Sequence, residues 1–148
     1  MEQHRIEKHV ELKASPSRVW KALTDYREFG QWFGVNLEGP FAVGKTVAGK
    51  IDYPGFEHLQ WAVDVTVMDE ERLFAFTWHP YAIDPAVDYS KETPTLVEFT
   101  LTPLGTGTRL AVAESGFDKI PAGRRLEAFR MDEEGWTEQM LNIAKYVG

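Results

Sequence analysis

A chain of 148 residues with a net charge of −7 fits one domain, able to bury about 70% of the surface its unfolded form exposes. The acidic balance disfavours nucleic acid, whose phosphates need Lys and Arg, and zero cysteines exclude disulfides, thiolate nucleophiles, iron–sulfur clusters and cysteine-ligated zinc. No apolar run approaches the roughly 20 residues of a membrane-spanning helix, and the start Met1-Glu2-Gln3-His4-Arg5 lacks the pattern of a secretory signal, so a cytoplasmic protein is expected.

From Ile6 to Leu12, apolar Ile6, Val10 and Leu12 alternate with Glu7, His9 and Glu11, the period of an amphipathic strand, with Lys8 the odd member of the inward set. Ser15-Pro16 then supplies an N-cap and a first-turn proline for a short helix striped by Val19, Trp20 and Leu23; a second short helix is expected from Glu28 to Phe33. Five strand-like runs follow, at Thr46 to Tyr53, Leu59 to Met68, Leu73 to Trp78, Thr95 to Thr102 and Thr108 to Glu114, each bounded by Gly, Pro or acidic turn residues. Their alternation assigns Val47, Ile51, Tyr53, Trp61, Val63, Val65 and Val67 to the inner face. Phe74, Phe76, Trp78, Val97, Phe99, Leu101, Leu110 and Val112 join them. From Ala122 to Val147 the spacing of Leu126, Phe129, Trp136, Met140, Ile143 and Val147 predicts a long amphipathic helix, weakened locally at Gly135. With no repeat or linker, residues 1–148 read as one α+β domain: a six-stranded antiparallel sheet, two short helices after its first strand, and a final helix lying across it.

The element order and five local strings resemble the helix-grip, START-like superfamily (SRPBCC), in particular the branch similar to the activator of the 90-kDa heat-shock-protein ATPase. The strings are Ser15 to Asp25, Trp32-Phe33-Gly34, Phe74-Ala75-Phe76-Thr77-Trp78, Glu114-Ser115-Gly116-Phe117 and Glu134-Gly135-Trp136. The resemblance implies a curved sheet gripping the last helix around a cavity that in relatives takes lipid-, sterol- or polyketide-like molecules. It does not fix one activity, because the superfamily includes carriers, cyclases and hydrolases. Chaperone activation in the eponymous proteins depends on an additional domain and is not expected here.

The run Gly39-Pro40-Phe41-Ala42-Val43-Gly44-Lys45-Thr46 has phosphate-loop spacing. A phosphate loop must open a helix, whereas Val47 onward reads as a strand, so a glycine-bounded lead-in to that strand is expected. His4, His9, His58 and His79 are scattered, and neither a metal nor any other cofactor is expected. His58 and His79 fall near strand ends, where one could reach a cavity rim or simply lie in a solvated turn. Alternation turns Glu114 inward, and Glu133, one turn from Phe129 and Trp136, is expected at the cavity mouth. Two inward carboxylates could orient a ligand hydroxyl or work as acid and base; Arg124, Arg125 or Arg130 could instead neutralise them as structural pairs. The stretch from His79 to Pro94 far exceeds a hairpin turn and could close over a pocket through Tyr81, Ile83 and Tyr89, or pack outside.

The expected lining is Phe33, Trp61, Phe76, Trp78, Glu114, Phe117, Phe129, Trp136 and Met140. The function this reading favours is binding of a hydrophobic or aromatic small molecule between sheet and final helix, and Trp136→Ala is expected to weaken it without unfolding the chain. A cyclase- or hydrolase-type enzyme using Glu114 and Glu133, and a protein-interaction module with no partner identified, are the alternatives.

Overall fold

Local capping sets the first helices. The computed structural model describes residues 5–52, 60–80, 86 and 88–148. After strand β1 (Arg5–Leu12), the Ser15 hydroxyl accepts the Arg18 N–H at 3.2 Å and Pro16 opens α1 (Pro16–Thr24). Asp25 ends α1 and caps α2 (Tyr26–Phe33), its Oδ1 accepting the N–H groups of Arg27 and Glu28 at 2.9 and 3.2 Å. Gly34, at φ 90°, stops α2 in the left-handed conformation that glycine adopts without strain.

The strands that follow are β2 (Val35–Leu37), β3 (Thr46–Ile51), β4 (Gln60–Asp69), β5 (Leu73–Trp78), β6 (Thr95–Leu104) and β7 (Gly107–Ser115). They form one antiparallel sheet in the order β1-β7-β6-β5-β4-β3-β2. The sheet therefore has seven strands where six were expected. The addition is β2, whose three residues pair with Ile51, Lys50 and Gly49 of β3 and are too few to show a period of two. Gly49 makes this approach feasible, since a Cβ there would lie 2.2 Å from the Asn36 carbonyl oxygen. The phosphate-loop spacing ends in strand β3 rather than a helix, as its sequence context requires.

Helix α3 (Ala122–Val147) runs unbroken through Gly135 and packs against β1, α1 and α2. The inner sheet face, α1, α2 and α3 enclose one apolar core centred on Phe29, Phe74, Phe76, Phe99 and Ile143. The architecture is thus the α+β helix-grip arrangement implied by the resemblance. Two inward assignments need correction. A β-bulge between Val65 and Val67 shifts the register, so Val67 pairs with Ala75 and it is Met68 that lies opposite the inward Phe74. On α3, Leu126 is exposed. Tyr53, His58, Leu59, Tyr81, Ile83 and His4 lie outside the described residues.

Candidate functional site

The register of the sheet places Glu114 in a row of apolar side chains. It lies opposite Ile6 on β1 and Val97 on β6, and Val97 in turn lies opposite Phe76 on β5. Nothing of its side chain reaches solvent. A buried carboxyl needs hydrogen-bond partners, and three neutral donors meet it. Oε2 accepts the Trp78 indole N–H at 2.7 Å and the Thr95 hydroxyl at 2.5 Å, while Oε1 accepts the Trp136 indole N–H at 2.8 Å. Sheet and final helix are thereby joined through one carboxyl.

The rings around it interlock. Trp78 and Trp136 stack at 5.7 Å and 27°, and Phe33 contacts Trp61, Trp78 and Trp136 at 5.4, 6.2 and 6.1 Å. Trp61 meets Trp78 and Phe76 at 5.9 and 6.1 Å, and Phe99 closes on Trp136 at 5.6 Å. Gln139 on α3 donates to the Phe33 carbonyl at 2.9 Å, fixing the end of α2 against the helix. Five of the expected lining rings, Phe33, Trp61, Phe76, Trp78 and Trp136, therefore meet in one cluster beside Glu114. Phe117 and Phe129 pack edge to face on each other at 5.3 Å, and Met140 is buried one turn beyond Trp136.

The second inward carboxyl is Asp132, not Glu133, which is exposed. Helix rotation explains the difference. Glu133 shares its side of α3 with Leu126, seven residues earlier, and both face solvent; Asp132 shares its side with Ala128, four residues earlier, which is fully buried. The apolar stripe around Phe129 and Trp136 accommodates either rotation, and packing of Ala128 selects one.

Asp132 is half-buried as a residue, but its Oδ2 is sealed from solvent and accepts no hydrogen bond. Burial, reinforced by the Glu114 carboxyl beside it, holds its pKa well above the usual carboxylate range, with Arg124 pulling weakly the other way. Glu114 offers about four lone-pair sites, of which three are filled, so the Asp132 proton fits the vacant one. The native state then keeps this proton to higher pH than the unfolded chain, which releases it near pH 4, and stability drawn from this group falls as pH rises from there towards the raised native pKa. Asp132→Asn is expected to raise the unfolding temperature by a few degrees, on the order of 1 kcal/mol, at pH 7. The gain should vanish near pH 4, as thermal unfolding across pH 4–8 will read; a gain independent of pH would show that Asp132 is not protonated in the native state.

None of the three candidate arginines bonds to Glu114. Arg124 grips Glu92 through Nε and Nη2 at 2.8–3.2 Å, reaches the Pro80 carbonyl at 2.9 Å and covers the Tyr89 ring at 4.7 Å. It thus ties both ends of the 79–94 stretch to the start of α3. Arg125 donates to the Ile120 carbonyl and Arg130 is exposed. His79 follows Trp78 and is half-buried, its Nδ1 without a partner. Thr95, fully buried and bonded to Glu114, was missed by sequence reasoning, although its place in the inward alternation of β6 marked it. Among the described residues no helix is long and apolar enough to cross a membrane.

Comparison with solved structures supports the fold over nearly the whole chain. Protein MLL2253 from Mesorhizobium loti superposes with a TM-score of 0.76 at 22% identity, covering 97% of this chain and 96% of that one. The Aha1 dimer from Colwellia psychrerythraea gives 0.72 at 17% identity, over 97% and 95%. DynU16, a protein of the dynemicin biosynthetic locus, gives 0.74 at 23% identity; 97% of this chain matches, spanning only 47% of DynU16. Such identities establish fold alone. No curated protein matches the chain in sequence. The pattern of the Activator of Hsp90 ATPase homolog 1-like protein family, however, matches residues 13–148, from the cap of α1 through the end of α3, and the chain belongs to that family.

Proposed function

We propose that this chain is a cytoplasmic binding protein for a hydrophobic or aromatic small molecule, held between the sheet and α3 at the ring cluster around Glu114. The observation that carries the reading is the meeting of Phe33, Trp61, Trp78 and Trp136 with a fully buried carboxyl bonded only to neutral donors. An apolar wall with a few fixed polar groups suits a small-molecule site, and the helix-grip fold fits a ligand-binding domain. Apolar area withdrawn from water, at about 25 cal/mol per Å², supplies the affinity. Native mass spectra of freshly purified protein, with a denatured extract analysed in parallel, test this. The expected result is an added mass, lipid-, sterol- or polyketide-like, that leaves on denaturation; a bare chain that also takes up no aromatic compound added in excess would refute the reading.

The Asp132–Glu114 pair favours one second reading. A neutral acid beside a fixed carboxyl is the arrangement for general acid–base work on a bound carbonyl compound. Under it, Asp132 takes the part that the sequence assigned to Glu133. Turnover whose pH profile moves in Asp132→Asn would favour an enzyme; binding without turnover favours a carrier.

A further inference from the structure

Strand β1 ends the sheet and pairs only with β7; among the described residues no backbone group meets its outer edge. At the opposite end lies β2, too short to offer much for pairing. A long unpaired edge is a template for another strand, and a charge turned inward is one way a chain blunts it. Lys8 is such a charge. It lies opposite the buried Val112, between Ile6 and Val10 in the inward row, and is itself half-buried. Among the described residues no carboxylate pairs with it.

Two copies of one strand pair antiparallel about a two-fold axis, and residues facing each other then come from the same alternate set. For β1, two such registers engage all but one of its residues. Centred on His9, the register sets Glu7 against Glu11, two acids. Centred on Lys8, it sets Arg5 against Glu11, Glu7 against His9 and Ile6 against Val10. Opposite charges and apolar residues facing each other stabilise a strand pair, whereas like charges oppose it. Only Lys8, meeting its own copy on the axis, spoils the second register.

We infer that the outer edge of β1 is a self-complementary pairing surface for a second copy of this chain, and that Lys8 holds the two copies apart. Pairing would set two ammonium groups about 5 Å apart among apolar side chains, where their repulsion and lost hydration oppose it.

Sedimentation velocity and native mass spectra of the intact chain test this. The unaltered chain is expected to be a monomer. Lys8→Val, which completes the apolar row with a residue strands favour, is expected to tighten self-association at least about tenfold. In that background Arg5→Glu sets acids against each other and should restore the monomer; adding Glu11→Arg should bring the dimer back. Lys8→Glu gives a second route that decides the question even where the valine variant fails to fold. Alone it stays monomeric, because like charges again meet on the axis, but mixed with isotope-labelled unaltered chain it should form a one-to-one heterodimer. An unaltered chain as dimeric as Lys8→Val, a folded Lys8→Val that stays monomeric, or a Lys8→Val dimer indifferent to Arg5→Glu would overturn the inference. So would a mixture that yields no heterodimer, or a strand of a different protein seated on β1 in place of the second copy.

Discussion

Glu114→Leu is expected to lower the unfolding free energy by about 3–5 kcal/mol. Leucine is close to glutamate in volume, so little cavity forms, and it removes a carboxyl from an apolar row. That relief is outweighed. Trp78, Trp136 and Thr95 each lose their acceptor in a place where water does not reach Glu114, and an abandoned buried donor costs roughly 1–3 kcal/mol. Removing one partner of a buried polar set differs from replacing the whole set, which is often neutral. Glu114→Gln keeps one acceptor oxygen and should lose about half as much. Urea unfolding with linear extrapolation measures both; a loss below about 1 kcal/mol for leucine would mean that the three donors find other partners.

Trp136→Ala should cost a similar amount, about 3–5 kcal/mol, because the side chain is 2% exposed and packs on Phe33, Trp78 and Phe99. The same change frees Glu114 Oε1. Sequence reasoning expected lost binding without unfolding; burial now predicts lost stability as well. Against the 5–15 kcal/mol typical of a domain, the variant stays folded unless the parent lies near the lower end. Trp136→Phe, which keeps an aromatic ring but no N–H, should lose about 1–2 kcal/mol and is the better variant for binding studies. Equal stability of the Ala and Phe variants in urea would contradict the packing described.

The order of elements was legible because each carried a local signature: Ser15-Pro16 before α1, the alternation Leu110, Val112, Glu114 along β7, and the stripe Phe129, Trp136, Met140 along α3. Features set by contacts between elements were not. Strand β2 exists because it follows the left-handed Gly34 and pairs with β3, information three residues cannot hold. The bulge after Val65 is settled by pairing with β5. Glu114 was identified as inward by alternation alone, but its donors come from β5, β6 and α3, and only the fold brings them together. Asp132 lost to Glu133 in the sequence reading because helical spacing from Phe129 and Trp136 admits both. The rotation of α3, fixed by the burial of Ala128, decides between them.

The five tryptophans make the central claim directly measurable. Their indole N–H signals, followed in nitrogen-15 spectra while 2-naphthol is added, report at graded distance from the site. Trp61, Trp78 and Trp136 line it; Trp32 donates to the Ala22 carbonyl at 2.8 Å and packs its ring on Phe33 at 5.7 Å, at the site's edge, whereas Trp20 contacts Phe74 outside it. Binding at the Glu114 cluster predicts saturable shifts of the first three signals, with Trp20 nearly still. Saturation that moves Trp20 while leaving Trp78 and Trp136 in place, or no shift of any indole in a folded chain, would contradict it.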